Sequence, residues 1–154
     1  EHINMGWLSW MNNSLITKHL DGGNQQYSRQ DLLKYLNEKK SKFFLACYSK
    51  NHIYFGNLRI YELTKGVVSF GRLIGHDDFI GKGFGKKLCD LANLLIFNQL
   101  KYETIVVGNK KENIQSAKSK IKSGFHLASE KELVSIGLKK HPNDDFYILK
   151  CLKV

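Results

Sequence analysis

Residues 79–86 read Phe-Ile-Gly-Lys-Gly-Phe-Gly-Lys, and no other stretch of the chain restricts its architecture and chemistry as strongly. The glycines permit a tight turn, and the apolar residues that follow recur at helical spacing at positions 84, 88, 91, 92 and 95. The first amides of such a helix have no partner within it, and the helix dipole is positive at that end. The turn is therefore predicted to bind a phosphate group, with Lys82 and Lys86 adding positive charge.

Two other phosphate-binding loops fit this stretch poorly. The Walker A loop ends in Gly-Lys-Ser or Gly-Lys-Thr, and neither string occurs in the chain. The dinucleotide fingerprint requires Gly-x-Gly-x-x-Gly in an early βαβ unit. Here Gly81 and Gly83 are followed by Gly85, and the preceding strands are patterned as a meander rather than as βαβ.

The residues before the turn predict three antiparallel strands. The strands are Phe43 to Tyr48, Tyr54 to Tyr61 and Val67 to Ile74. In the second of these, Leu58 and Ile60 face one way and Asn57 and Arg59 the other, which is the alternation of a half-buried strand.

Two helices are predicted at the start of the chain. Trp7 to Leu20 carries an imperfect helical stripe, and residues 21–23, Asp-Gly-Gly, break it. Ser28 has the features of an N-cap for a second short helix, with Asp31 three residues later.

The part of the chain after the turn completes an α/β (α+β) pattern. It predicts a strand at Thr104 to Val107, a helix at Ile114 to Ser123 that Gly124 ends, and a last strand at Phe146 to Leu152. The expected fold is a central mixed, mostly antiparallel sheet with helices on both faces. No repeat or linker divides residues 1–154, so we predict one domain.

The composition limits the partners. The excess of 24 Lys and Arg over 14 Asp and Glu indicates either an anionic partner or a solvated surface. Cys47, Cys89 and Cys151 are scattered and show no zinc-binding spacing, which is typical of a reducing compartment. No apolar run is long enough for a membrane span, so we predict a cytoplasmic protein without a membrane or metal partner.

Two stretches resemble the GNAT acetyltransferase superfamily. Residues 79–85 resemble its pyrophosphate loop, Arg/Gln-x-x-Gly-x-Gly/Ala, with Gly83 and Gly85 at the glycines and Ile80 in place of Arg or Gln. Residues 113–125 resemble its Asn-x-x-Ala/Ser … Tyr-x-Lys-x-Gly-Phe helix. The matching positions there are Asn113, Ser116, Lys122, Gly124 and Phe125.

The resemblance extends weakly to residues 10–13 and 56–57, and it covers most of the chain. The family's first strand would lie before Glu1. The resemblance is strongest to the branches that acetylate amino sugars on nucleotide carriers and to those that acetylate ribosomal-protein N-termini.

The resemblance implies that acetyl-CoA binds between strand 67–74 and strand 104–107, which would splay apart to form an acyl-CoA cleft. The residues it assigns to the cofactor are Leu73, Ile74, Gly81, Lys82, Gly83, Phe84, Gly85, Lys86, Asn113 and Ser116. The alternative for Asn113 is a plain helix N-cap.

The candidate catalytic residues are Glu62, His76 and Lys120. Lys120 occupies the position of the family's tyrosine, which many members use as the acid for the leaving thiolate. Its ammonium is expected to stabilise the thiolate, to contact a cofactor phosphate, or to be solvated. Glu62 and His76 are candidate bases, although His76 with the aspartates after it also fits a turn with a helix cap.

The expected reaction is acetylation of a primary amine, with a nucleotide-linked amino sugar as the best acceptor and bacterial surface polysaccharides as its destination. The alternatives are a protein N-terminus, a basic nucleic-acid-binding module and an acyl-CoA sensor without activity. Nucleic acid is disfavoured because no RNP-type strand or helix-turn-helix pattern occurs. A homodimer is a further expectation, formed through an exposed edge at Phe146 to Leu152.

Overall fold

The computed structural model describes residues 1–20 and 25–151, and within them six strands form a single sheet. The strands are β1 (Ser41–Tyr48), β2 (Tyr54–Thr64), β3 (Val67–Ile74), β4 (Thr104–Lys110), β5 (His126–Leu127) and β6 (Asp144–Lys150). The helices are α1 (Leu8–Met11), α2 (Ser14–Thr17), α3 (Arg29–Leu36), α4 (Phe84–Leu94), α5 (Ile114–Lys122) and α6 (Glu130–Ser135). The strand order is β1-β2-β3-β4-β6-β5. The predicted mixed, mostly antiparallel sheet with helices on both faces is confirmed.

The antiparallel meander of β1, β2 and β3 follows the predicted alternation. Leu58 and Ile60 are fully buried on one face of the sheet, in the core that α4 completes. Asn57 and Arg59 point to the other face, where Arg59 lies over the ring of Tyr35 from α3. Hydrophobic burial on both faces therefore fixes the register of β2, because a slip by one residue would exchange the two sets.

The middle of the sheet opens between β3 and β4. These two strands are parallel, and among the described residues they pair only at Val68 and Ile105. In contrast, β4 pairs with β6 along its whole length, from Thr104 opposite Lys150 to Lys110 opposite Asp144. The predicted splay of the two strands is confirmed, and it leaves a gap on the side toward the C-terminal end of β3.

The two largest of three hydrophobic clusters among the described residues lie on opposite faces of the sheet. The larger one joins the sheet to α4 and the segment after it, through residues such as Leu88, Cys89 and Ile96. The smaller one joins the opposite face to the N-terminal helices, around Trp7 and Leu32. In residues 1–20 and 25–151, no helix is long and apolar enough to cross a membrane.

The N-terminal region differs from the predicted single helix over Trp7 to Leu20. A wide helical turn (Ile3–Trp7) is followed by α1 and α2, which are two separate turns. They separate because the Asn13 side chain accepts a hydrogen bond from the backbone N–H of Leu15 at 3.0 Å and so starts a new helix. The predicted break at residues 21–23 lies outside the described residues, and the helix capped by Ser28 is confirmed as α3.

The last strand is not the free edge that we predicted at Phe146 to Leu152. It lies between β4 and β5, since His126 and Leu127 pair with Ile148 and Tyr147. A subunit contact through this edge therefore loses its basis, and Leu152 lies outside the described residues. The short helix α6 was not predicted, although Ser129 and Glu132 form its capping box.

Candidate active site

A cavity of about 380 Å³ occupies the gap between β3 and β4, and we call it the cleft cavity. One wall comes from β2 and β3, and the other from β4, β6 and α5. Its polar and charged lining residues are His19, Tyr61, Ser69, Arg72, Asn109, Lys110, Asn113, Ser116, Lys120 and Asp144. The cavity therefore collects chain segments that are far apart in the sequence.

A second cavity, of about 340 Å³, lies against β2 and β3 on the face covered by the N-terminal helices, and we call it the aromatic cavity. Its ring-bearing lining residues are Trp7, Tyr27, Tyr35 and Phe44. Leu20, Gly71 and Arg72 line both cavities, so the two meet at β3. A Cβ atom placed on Gly71 would meet nothing within 4 Å, so the space beside this residue is open.

The glycine turn begins α4 in the way that its sequence predicts. Gly83 is the N-cap of the helix with φ at 83°, a left-handed conformation that other residues rarely adopt. The turn is exposed, so the first amides of α4 point toward solvent at the positive end of the helix. Gly85 brings this end close to the cleft cavity, because a Cβ atom there would lie 3.6 Å from Nε of Arg72.

Lys120 is buried in the wall of the cleft cavity, with only 5% of its surface exposed. Its Nζ donates hydrogen bonds to Oδ1 of Asn109 at 2.6 Å and to Oγ of Ser116 at 2.8 Å. Burial, together with the nearby charge of Arg72, lowers the pKa of Lys120 to about 7. The alternative of a solvated Lys120 is therefore wrong.

Arg72 places a second, partly buried cation beside Lys120. Its guanidinium donates to Oγ of Ser116 at 3.2 Å and to Oγ of Ser119 at 2.6 Å, and it also contacts Sγ of Cys89. Burial lowers its pKa. In the part of the chain that the structure describes, neither Arg72 nor Lys120 has a carboxylate partner, so one wall of the cavity carries positive charge that the protein does not neutralise.

Solved structures share this overall fold. The chain is similar to an acetyltransferase of the GNAT family from Bacillus anthracis, with a TM-score of 0.71 and 16% identity over 93% of this chain and 86% of that one. The chain has the GNAT acetyltransferase fold. No family model and no curated protein matches it, so the connection rests on structure.

Two further structures with the GNAT fold extend the comparison. Aminoglycoside acetyltransferase AAC(6')-Ib, in complex with paromomycin and acetyl-CoA, gives a TM-score of 0.75 at 18% identity, over 97% of this chain and 88% of that one. Spermidine N-acetyltransferase from Vibrio cholerae, in complex with CoA and spermine, gives 0.74 at 16% identity, over 97% and 91%.

Within the GNAT fold, the residues predicted to bind the cofactor fall into three places. Residues 81–86 form the exposed turn and the first turn of α4, and none of them lines either cavity. Leu73 and Ile74 end β3, where Gly56 of β2 packs so closely that a Cβ atom would overlap the carbonyl oxygen of Leu73. Their roles stay predictions.

Asn113 and Ser116 are the predicted cofactor residues that do line the cleft cavity. The Asn113 side chain accepts a hydrogen bond from the backbone N–H of Ser116 at 3.1 Å and is the N-cap of α5, which was the alternative interpretation of this residue. Ser116 contacts both cations, since its Oγ accepts hydrogen bonds from Lys120 and from Arg72.

The two predicted bases lie away from both cavities. Glu62 continues the alternation of Leu58 and Ile60, so it points to the α4 face, where its carboxylate lies 3.2 Å from Nζ of Lys42. His76 is the N-cap of a short turn, and its Nδ1 accepts a 3.3 Å hydrogen bond from the backbone N–H of Asp78. The structure therefore brings neither of them together with Lys120.

Arg72, Asn57 and Asn109 are among the residues that the sequence reasoning did not identify as part of the site. Arg72 follows Val68 and Phe70 on the core face of β3, and a charge at a core position is the signal that could have marked it.

The described residues contain no cluster of His, Cys, Asp and Glu side chains that could hold a metal ion.

Proposed function

We propose that the protein is an acetyl-CoA-dependent N-acetyltransferase that acts on the primary amine of a small molecule. The observation that carries this proposal is the gap between β3 and β4, two parallel neighbours that pair at one position and then leave their facing backbones apart. Backbone N–H and C=O groups that face such a gap need partners. An extended ligand with its own amides, such as the pantetheine arm of CoA, supplies them.

The chain offers a partner for each part of this ligand. The backbone of Leu73 and Ile74, paired with β2 on one side, faces the gap on the other. The amides of residues 81–86 suit the pyrophosphate, and Asn113 and Ser116 approach the arm from α5. When bound, acetyl-CoA supplies an acetyl thioester with a thiolate leaving group.

Lys120 is the residue that we assign to the leaving group. Its pKa of about 7 lies below the value of about 8.5 for a free thiol, so transfer of a proton from the ammonium to a thiolate is favourable. Asn109 and Ser116 fix its orientation through hydrogen bonds. The charge of Arg72 beside it stabilises negative charge at the same place.

The acceptor that fits the cavities best is an amino sugar on a nucleotide carrier. Arg59, Arg72, Lys110 and Lys120 line the two cavities, and Asp144 is the one acidic residue among the described residues that line them. Glu38 neutralises Arg59 and Asp144 lies 3.0 Å from Nζ of Lys110, so Arg72 and Lys120 supply the excess of positive charge. Such surroundings repel a polyamine and attract a molecule with phosphates.

A second feature of the aromatic cavity supports an oxygen-rich acceptor. Asn57 is buried, and its Oδ1 accepts a hydrogen bond from the Tyr54 hydroxyl at 2.7 Å. Among the described residues its Nδ2 has no hydrogen-bond partner, which costs free energy until a ligand oxygen supplies one. The proposal places the protein in the cytoplasm, in the synthesis of surface polysaccharides.

Thermal stabilisation tests the donor. Acetyl-CoA and CoA are expected to raise the melting temperature, whereas NADH and ATP are not. At a ligand concentration of 100 times the dissociation constant, the free energy of unfolding should increase by about 2.7 kcal/mol. Gly83→Asp, which places a carboxylate and a strained backbone at the predicted pyrophosphate turn, is expected to abolish the shift. No shift with any CoA compound would overturn the proposed function.

Turnover with a panel of amines tests the acceptor. A UDP-linked amino sugar, spermidine, kanamycin and a peptide with a free N-terminus are each mixed with acetyl-CoA, and CoA release is measured. The UDP-linked sugar is expected to give the highest kcat/KM. A higher value for spermidine or kanamycin would exclude the anionic acceptor, and a higher value for the peptide would support the alternative of protein N-terminal acetylation.

A further inference from the structure

His19 enters the site from a segment in which no catalytic residue was expected. It follows α2, and it is the one histidine among the described residues that lines either cavity. Thr17, two residues earlier, is fully buried, and its hydroxyl donates a 3.0 Å hydrogen bond to the backbone oxygen of Asn13. The segment that carries His19 is therefore anchored at α2.

The imidazole of His19 lies beside a carboxylate. Its Nδ1 is buried and lies 3.4 Å from Oε1 of Glu112, the residue before the N-cap of α5, within ion-pair distance but without the geometry of a hydrogen bond, and among the described residues this atom has no hydrogen-bond partner. The Glu112 side chain is 73% exposed, whereas that of His19 is 24% exposed. A carboxylate beside Nδ1 favours the tautomer with its proton on Nδ1, which leaves the lone pair on Nε2 for a second proton.

His19 and Lys120 line the same cleft cavity from different elements. His19 follows α2 and precedes Leu20, which lines both cavities. Lys120 belongs to α5, which packs on the face of Phe70 and Arg72. A base and an acid that line one cavity are the two groups that displacement at a thioester uses.

We propose that His19 is the general base of the reaction and that Glu112 is its positioning residue; this inference rests on the proposed function. Nε2 of His19 takes a proton from the ammonium of the acceptor. The amine nitrogen then forms a bond to the thioester carbonyl carbon, and the carbon–sulfur bond breaks. Lys120 gives its proton to sulfur, and the nitrogen loses its second proton to solvent, so the products are the amide and the free thiol. His19 then releases its proton to solvent and Lys120 takes one up, which restores both groups.

Steady-state kinetics with acetyl-CoA and a UDP-linked amino sugar test the role of His19. His19→Gln is expected to lower kcat by about 100-fold or more, with the KM for acetyl-CoA unchanged. Glu112→Gln is expected to lower kcat by a smaller factor, again without a change in that KM. The matched control is His126→Gln, which removes the exposed partner of Glu132 at 2.9 Å and should leave kcat unchanged.

A measurement without any acceptor separates this inference from the proposed function. The imidazole NMR signal of His19, assigned by its loss in His19→Gln, is expected to shift when CoA is added, whereas that of His126 is not. If CoA binds, but the His19 signal stays in place or kcat of His19→Gln is within threefold of the wild type, His19 is not the base and the proposed function stands. If no CoA compound binds, both fail.

Discussion

Arg59 and Arg72 lie on adjacent strands of the same sheet, yet their surroundings are very different. The guanidinium of Arg59 lies 2.5 Å from Oε2 of Glu38 and 4.2 Å from the centroid of the Tyr35 ring. Arg72, on the opposite face, contacts only neutral partners among the described residues, such as the hydroxyl of Ser119. The first arginine is neutralised within the fold, and the second is not.

The pKa values of the two arginines follow from this difference. Burial would lower the pKa of Arg59, but hydrogen bonds to Tyr35 and Glu38 outweigh it, and its pKa is raised. For Arg72 burial dominates, and its pKa is lowered. A buried charge with a protein partner belongs to the structure of the fold, whereas a desolvated charge without one is costly and is available to a ligand anion, which is the role that we propose for Arg72.

The largest effect is expected from removing the charge of Lys120, the other cation without a carboxylate partner among the described residues. Lys120→Met should lower kcat with acetyl-CoA by about 100-fold to 1,000-fold, because the thiolate loses its acid and its nearest positive charge. The free energy of unfolding should not fall, since a buried charge without a counter-ion is replaced by an apolar chain. Lys118→Met, an exposed lysine on the same helix, is the matched control. Activity within threefold of the wild type would show that Lys120 is structural.

The next effect is the pH dependence of stability. The pKa of Lys120 is about 7 in the folded protein and 10.5 in the reference state, so between these values the unfolded chain binds more protons. The free energy of unfolding should therefore rise with pH in this window, by about 1.4 kcal/mol per pH unit at most from this group. Urea unfolding at pH 7 and pH 9 measures it. An equal pH dependence in Lys120→Met would assign the effect to other groups.

Taking the partner away from Arg59 should produce a smaller loss of stability. Glu38→Ala leaves a buried guanidinium without its carboxylate, but the Glu38 side chain is half exposed and water replaces part of the interaction. We expect a loss of about 1–2 kcal/mol in urea unfolding, well below the 3–5 kcal/mol of a fully buried pair. Acetyl-CoA affinity should not change. Full stability with weakened binding would reverse the roles that we assign to the two arginines.

Giving Arg72 a partner should have the smallest effect on stability and the opposite sign. The Oγ of Ser119 lies 2.6 Å from a terminal nitrogen of Arg72, so Ser119→Asp brings a carboxylate to the guanidinium. We expect about 1 kcal/mol of stabilisation in the free protein and weaker binding of CoA, both measured by thermal unfolding with and without ligand. Tighter CoA binding would contradict the view that this position is reserved for a ligand anion.

The sequence predicts the fold well because its strongest signals are local. The glycine turn at residues 79–86, the alternation in Tyr54–Thr64 and the apolar stripe of Phe84–Leu94 each follow from neighbours along the chain. The prediction of one N-terminal helix failed because Asn13 begins a new cap inside an apolar stripe. The predicted free edge failed because the two-residue strand β5 is too short to leave a pattern.

The candidate site is less predictable because its properties depend on several elements. Lys120 has the sequence of an exposed helical lysine, and it is buried only because Asn109 of β4 and Ser116 of α5 meet it there. The position of Glu62 was accessible from the alternation of Leu58 and Ile60, which puts all three on the core face. His19 had no such signal, since its partner Glu112 is distant in the chain.

Val68 and Ile105 form the one backbone pair that joins the two halves of the sheet among the described strands. The sheet therefore consists of two well-paired halves, β1 to β3 and β4 to β6, joined at one position. One backbone pair cannot fix the angle between the halves, so the packing of α4 and α5 against the sheet has to stabilise it. A ligand whose amides hydrogen-bond to both strands joins the two halves of the sheet as an additional strand would. The whole domain should therefore become more rigid when the gap is filled.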